Sequence, residues 1–443
     1  MTALHKTSKV ILTVPAQADF LSVVRESVEK GAALFGLAEM NLMGLSLAVE
    51  EIFLHLCRVS GTGESLSLSL AQVATGVDLE FTIKAAALSI GGLNVVTGNK
   101  VESLIEQEDF NQIGLLLAAG FIDHFSLRQS SAREYSLLLR QERGYPEASV
   151  QETTKQRVSK PPFSVVSSAP AELLEQACLQ VLGLYPAYLY APFYRYPGKF
   201  SDLIRGDELS ALVVIDTTGA VCGLISWIPD SGGAIRFHGP YVFSTDYDDD
   251  IATLLVDEFI GQVVRTSAKI VFTSQATNAL PMNRFELLGT LDYYTDNKEC
   301  TTLTSCYYHL REDHGLAVWA HPELADFLEK EYERLFLPRE IRLTTDHGGE
   351  RDEASVFGLK LNKKSGLAII TPLLDGMDIQ QNMSLHLQHL VSQQISNILC
   401  IIDVGHGWQA QMSGVLLQQG FTPRLVQPLA GKGDCVVFQY ASV

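Results

Sequence analysis

The chain has 443 residues, 47% of them hydrophobic and 19% charged, and 51 acidic against 33 basic side chains leave a formal charge of -18. That length exceeds one ordinary hydrophobic core and implies roughly two to four domains, and the composition excludes disorder over most of the chain. So acidic a surface repels phosphate backbones and anionic bilayers, which argues against nucleic acid or membrane as partners.

No apolar run reaches the roughly 20 residues that span a bilayer, and the first nine residues lead into a strand-like run with no apolar signal region. The seven cysteines (57, 178, 222, 300, 306, 400 and 435) are scattered and odd in number. A cytoplasmic protein with reduced thiols is expected.

Residues 10–14 read as a first strand. Helical spacing follows over 17–36, where Phe20, Val23, Val24, Val28, Ala32 and Phe35 recur at three and four, and again over 41–58. Residues 65–70 alternate Leu and Ser as a half-buried strand does, and 77–83 form another. A helix is predicted over 111–125 and a closing strand over 134–140. Residues 142–169, rich in Gln, Glu, Thr, Lys and Ser around Pro161-Pro162, read as a linker.

A helix over 171–182 opens the next region. Residues 209–216 and 221–227 pair around the turn Thr218-Gly219, a helix covers 250–265, and 269–273 is a short buried strand. A boundary near His314-Gly315 precedes an amphipathic helix over 322–335. The last third then repeats the order of the middle third: strands at 356–361 and 366–371, a helix at 384–395, a buried strand at 398–403, a helix at 408–419 and a strand at 434–440. Two related α/β units in tandem are expected.

The segment Ala48-Val49-Glu50-Glu51, with His55 four residues beyond Glu51, and the run from Gly114 to Asp123 before a final strand carry a resemblance. Residues 1–142 resemble the ATPase-like domain of anti-sigma-factor serine kinases, within the histidine-kinase and Hsp90-type ATPase superfamily. That resemblance implies an Mg-ATP site in which a helix presents Glu and then Asn, the Asn oxygen ligating Mg²⁺ and the Glu acting on the attacking group. Glu51 matches the acid. His55 stands at the Asn position, and imidazole is a poor Mg²⁺ ligand. The adenine-binding Asp and glycines of the family are replaced by Lys84-Ala85-Ala86-Ala87. Of the Gly-rich phosphate lid, Gly114 remains, after Asn111-Gln112-Ile113. As plain packing, the helix would bury Leu47, Phe53, Leu54 and Leu56 and leave Glu50 and Glu51 on a wet face.

Residues 170–314 resemble the GNAT N-acyltransferase fold, and residues 315–443 a second, more divergent copy, with 143–169 as the linker before them. The resemblance implies coenzyme A held by its pyrophosphate on backbone N–H groups after a fourth strand, in a basic, Gly-rich loop. Here that loop carries Thr245, Asp246, Asp248, Asp249 and Asp250, with Ile251 in place of a glycine. Carboxylates in this position also suit the first turn of a helix. The second copy offers residues 371–378 at the corresponding place. Tyr294 and Tyr308, beside Tyr293 and Tyr307, are general-acid candidates; paired aromatics at strand ends also serve packing. His406, between two glycines after a buried strand, stands where α/β folds place ligand groups. His386 and His389 lie three apart on a helix, a spacing that a solvated helix face explains and for which no metal is expected.

The expectation is therefore an α/β protein: an ATPase-like α/β sandwich followed by two GNAT-like mixed-sheet units. Candidate catalytic residues are Glu51, Tyr294 and Tyr308; candidate cofactor contacts are His55, Gly114, Thr245, Asp248 and Ile251; His406 is a ligand candidate. The leading function is a cytoplasmic regulatory protein of bacterial signalling, acting by protein or small-ligand binding. Its expected partner is a protein of sigma-factor or anti-sigma-antagonist type, with the first domain as a docking or homodimer surface. No cofactor is expected; acetyl-CoA or ATP would enter only through surviving sites. The alternatives are an N-acyltransferase using acyl-CoA and a divergent serine kinase.

Overall fold

The computed structural model describes residues 8–61, 63–94, 110–131, 133–149, 158–230, 232–295, 297–345 and 351–441. The protein is α/β, and its chain divides into two compact units. The first comprises residues 1–144, 348–360 and 370–393; the second comprises 145–347, 361–369 and 394–443.

In the first unit, strands β1 (Lys9–Pro15), β2 (Ser65–Val73), β3 (Gly76–Lys84), β4 (His124–Ser131) and β5 (Glu134–Glu142) form an antiparallel sheet ordered β1-β2-β3-β5-β4. Each central strand alternates. Leu66, Leu68 and Leu70, Val77, Leu79, Phe81 and Ile83, and Tyr135, Leu137 and Leu139 are buried. The intervening Asp78 and Arg140 pair on the other face at 2.6 and 2.8 Å. Period-two burial on one face requires a cover. Helices α1 (Leu21–Leu34), α2 (Glu39–Val59) and α3 (Phe110–Phe121) supply it through Val24, Val28, Ile52, Phe53, Leu56 and Leu115. Full burial of Phe53 and Phe81 contributes on the order of 2 kcal/mol each. Val356 and Leu374, distant in sequence, join the same core.

The second unit contains a seven-stranded sheet built from β6 (Ser164–Val166), β7 (Ser210–Ile215), β8 (Val221–Pro229), β9 (Ala234–Val242), β10 (Ile270–Thr273), β11 (Glu286–Tyr294) and β12 (Cys300–His309), ordered β11-β12-β10-β9-β8-β7-β6. Helices α4 (Ala171–Leu184) and α5 (Pro197–Arg205) precede β7. All neighbours are antiparallel except β9 and β10. A parallel pair needs a crossover, and α6 (Asp248–Val263) provides it. Ile251, Leu255, Val256 and Phe259 of α6 are buried against Trp227, Phe237 and Val242. Next come β13 (Leu316–Ala320), α7 (Pro322–Arg334) and β14 (Arg339–Leu343), the two strands pairing parallel.

The remaining elements are β15 (Val356–Asn362), β16 (Leu367–Leu374), α8 (Ile379–Ser392), β17 (Asn397–Asp403), α9 (Gly407–Gln411), α10 (Ser413–Gln418), β18 (Phe421–Gln427) and β19 (Cys435–Tyr440). The fourth sheet is ordered β15-β16-β17-β19-β18, the same order as β8-β9-β10-β12-β11. The repeated sequence of elements thus has a repeated strand order.

Several sequence expectations are corrected. Phe125 belongs to β4, because the helix stops at Phe121. The stretch read as a linker holds β6, which pairs with β7. The helix expected over 408–419 is split at Met412. Leu47 is exposed, since helical periodicity turns Ala48, Val49 and Ile52 inward instead. His386 is fully buried against the Phe357 ring rather than solvated.

Candidate functional site

In the second unit, β9 and β10 pair only over Ala234–Arg236 and Ile270–Phe272, after which β9 runs on without β10. Gly239, at φ +100°, and Pro240 accompany a bulge in β9 opposite β8. Two parallel strands that part leave backbone groups facing one another across a slot, where an extended ligand can add as a strand does.

The hydrogen-bond ladder fixes which groups face the slot. Phe243 N–H donates to Cys222 O at 2.9 Å, so Val242, one residue back, turns its N–H and C=O away from β8. The Tyr185 hydroxyl takes both. It accepts from Val242 N–H at 2.8 Å and donates to Val242 O at 3.1 Å. Two residues back, the Thr277 hydroxyl donates to Pro240 O at 2.7 Å, and proline has no N–H to offer. Aromatic rings fill the adjoining space: Tyr185 and Tyr194 stand edge-on to Tyr241, and Phe193 edge-on to His238. Burial pushes the Tyr185, Tyr194 and Tyr241 hydroxyls up, and burial with nearby Arg236 pushes His238 down to about 3. At neutral pH these groups are uncharged donors and acceptors.

Beyond the slot, Ser244 is buried and Thr245 is exposed with its hydroxyl on Asp246 at 3.0 Å. Asp248, Asp249 and Asp250 form the exposed first turn of α6. The dipole favours them there. An incoming anion would meet about 1 kcal/mol of repulsion per close carboxylate even in bulk water. Ile251 points into the core, close enough to Gly223 that an added methyl there would lie 2.8 Å from it.

In the first unit, the structure brings Glu51 against Gly114, and His55 stands four residues beyond Glu51 on the same helix. A side chain on Gly114 would collide with the Glu51 carboxylate. The buried His55 Nε2 lies 2.8 Å from Leu88 O, and Gln112 bonds both Ser89 O, at 2.9 Å, and Gly92 N–H. Residues 88–94 are held from a second side as well. Asp352 accepts from the N–H groups of Leu88, at 3.1 Å, and Ser89, at 3.3 Å. Asn94 bonds Ser355 O and Phe357 N–H, each at 2.9 Å. Ser89 sits at φ +49°, where successive N–H groups converge into an anion-holding nest. Sequence reasoning missed Asp352, Tyr185 and Thr277, since no local motif marks them.

The other candidates lie apart. Tyr308 pairs with Val271, before the strands part, and packs on the Phe285 ring. Tyr294 ends β11, its backbone N–H and C=O bonded by the Asn397 amide at 2.8 and 2.9 Å. His406 Nε2 is 3.9 Å from Asp403, and burial depresses its pKa although Asp403 pulls the other way. Asp403 itself accepts from Gly405, Lys432 and Gly433 N–H groups at 2.6–3.0 Å. A separate cleft of about 1080 Å³ is lined by Glu286, Glu333, Phe336 and Arg339 among others. Among the described residues, no cluster of His, Cys, Asp or Glu is arranged to hold a metal, and no helix is long and apolar enough to cross a membrane.

About a third of this chain is similar to GNAT acetyltransferases. A crystal structure of aminoglycoside 6'-acetyltransferase type Ii is 16% identical, covering 34% of this chain and 99% of that one, with a TM-score of 0.27. A GNAT superfamily phosphinothricin acetyltransferase from Sinorhizobium meliloti, solved with acetyl-CoA, is 17% identical over 34% of this chain and 89% of its own, with a TM-score of 0.28. A spermidine N-acetyltransferase mutant from Vibrio cholerae is 11% identical over 33% and 94%, with a TM-score of 0.27. At such scores the likeness carries no argument about what this chain binds. No family model and no curated protein matches the chain.

Proposed function

We propose that this chain is a regulatory binding protein: a GNAT-like scaffold and an ATPase-like scaffold whose ligand positions are taken by its own side chains. The observation that carries this reading is the Tyr185 hydroxyl on both backbone groups of Val242, where a strand-like ligand arm would otherwise pair. The Asp352 carboxylate on Leu88 and Ser89 supports the same reading in the first unit. The chain would then act through its surface, on a protein partner for which the sequence resemblance suggests the sigma-factor or anti-sigma-antagonist type. Neither acetyl-CoA nor ATP is its cofactor in this reading.

One observation favours a second reading, an N-acyltransferase using acyl-CoA: β9 runs on past its last pair with β10, so its backbone groups on that side lie outside the ladder, where an extended ligand can pair. Thermal shift separates the two. A ligand at 100 times its dissociation constant stabilises a folded protein by about 2.7 kcal/mol. Acetyl-CoA and Mg-ATP are expected to leave the melting temperature unchanged. A saturable rise with acetyl-CoA, accompanied by acetylation of an amine, would establish the enzyme instead.

A further inference from the structure

The cleft of about 1080 Å³ in the second unit belongs to neither ligand position. Its lining falls entirely within the described residues: Glu286 at the start of β11, residues 309–313 leaving β12, and the stretch from Glu329 through the end of α7 to Ile341 of β14. The charges of this lining do not balance. Arg339, its side chain fully buried, is held by Asp434 at 2.6 and 3.2 Å and by Asp313 at 2.8 Å. Arg311 turns away and donates to Thr266 O at 2.5 Å and Val264 O at 3.5 Å. Glu312, Glu329 and Glu333 are exposed and make no ion pair among the described residues. Glu329 and Glu333 lie one turn apart on one helix face, where like charges repel. Tyr332, 5% exposed, stands in the same lining, and its hydroxyl makes no hydrogen bond. Burial and then Asp434 push that hydroxyl up, so it stays a donor, as a peptide carbonyl requires.

The end of α7 supplies a second and independent observation. Phe336 N–H donates to Glu333 O at 3.2 Å and Leu337 N–H to Tyr332 O at 2.9 Å, with Phe336 itself at φ +52°. This is the left-handed closing position of a helix, which glycine favours because a Cβ is strained there. The Phe336 ring is 87% exposed, so burial does not offset the strain. A strained residue that displays an aromatic ring beside a cleft points to function.

We propose that this cleft docks an arginine-bearing segment of a protein partner, with a guanidinium on the Phe336 ring and the carboxylates of Glu312, Glu329 and Glu333 around it. Arginine suits both features. Its plane stacks on an aromatic face and its fork pairs with carboxylate oxygens, whereas the ammonium of lysine is a compact, strongly hydrated charge. Pro338 and Ile341 offer apolar surface to the aliphatic stem of such a side chain. The formal charge of -18 draws a basic segment from a distance, and the unpaired carboxylates of the cleft give it a place to stop. The inference rests on the binding-protein reading and adds to it the surface and the chemistry of the partner.

The test is fluorescence anisotropy of a labelled short peptide alternating Arg and Ala, titrated with the full chain at about 150 mM salt, where long-range attraction is screened. Saturable binding is expected, with weaker binding of the same peptide carrying Lys for Arg. Phe336→Gly is expected to weaken binding at least about tenfold and to raise the melting temperature, since glycine adopts that φ freely. Glu333→Gln is expected to weaken binding as well. Glu323→Gln removes the same charge from an exposed position of α7 outside the lining and is expected to change nothing. A wild type that does not bind the Arg peptide saturably overturns the proposal. So does a Phe336→Gly variant that binds undiminished, or a Glu323→Gln variant that loses as much as Glu333→Gln. Arginine amide that displaces the peptide at equal concentration also overturns it, by marking a site for a small ligand. The two readings fail separately: acetyl-CoA raising the melting temperature removes the binding-protein reading, and absent peptide binding removes the docking site alone.

Discussion

Asp216 shows how much one side chain can organise. Its carboxylate accepts from the Thr218 hydroxyl at 2.6 Å, Thr218 N–H at 2.8 Å, Ala220 N–H at 3.1 Å and Lys160 N–H at 3.1 Å, closing the β7–β8 turn. The Thr218 hydroxyl is the largest influence holding its pKa down to about 2. A folded value below the unfolded one, near 3.9, means stability that is present above about pH 4 and is lost as pH falls toward 2. Asp216→Asn is therefore expected to flatten the acid limb of a melting-temperature profile between those values; a limb as steep as the wild type's would refute the assignment. At this scale sequence was informative only locally. Thr218-Gly219 announced its turn, whereas the adjacency of Glu51 to Gly114, 63 positions later, follows from no spacing in the sequence. Tyr185 and Val242 are 57 residues apart and Asp352 and Leu88 are 264 apart, and no periodicity links such pairs.

At the scale of elements, the instructive piece is the segment 88–94, which is neither helix nor strand over its first residues and yet is buried at Leu88, Ile90 and Leu93. Irregular backbone survives burial only when its polar groups find partners. Here His55, Gln112, Asp352, Ser355 and Phe357 provide them. Asp352→Ala removes the charged acceptor from two amides. The expected loss is about 1–3 kcal/mol of stability, with faster hydrogen exchange at Leu88 and Ser89; unchanged protection there would show that the carboxylate does not hold the segment. The strands with alternating burial were legible from sequence because one face is wet. Short β6 was not, since three residues amid Ser and Pro carry no pattern. Strands β13 and β14 passed unnoticed because, unlike the comparably short β10, they carry no run of buried residues.

At the scale of the whole molecule, chain order and compactness part company. The order of elements legible in the last two thirds corresponds to two sheets of like strand order, because a βαβ connection and its flanking hairpins leave a repeated sequence of patterns. Compactness is another matter: residues 348–360 and 370–393 cluster with residues 1–144. Val356 and Leu374 complete the core that Leu79, Phe81 and Ile52 begin, and the segment from Asp352 to Phe357 supplies hydrogen bonds to 88–94. A fragment ending at residue 144 would expose those apolar contacts and leave the N–H groups of Leu88 and Ser89 without their carboxylate. Domains of this size carry only some 5–15 kcal/mol of net stability, so losing two core side chains and several buried hydrogen bonds consumes most of it. The fragment 1–144 is expected to show no cooperative thermal transition by circular dichroism and broad, poorly dispersed amide resonances. The same fragment joined by a flexible linker to residues 348–393 is expected to regain a cooperative melt. A sharp transition in 1–144 alone would mean that the early part of the chain folds without help from the late part, and that the late contacts decorate a finished core.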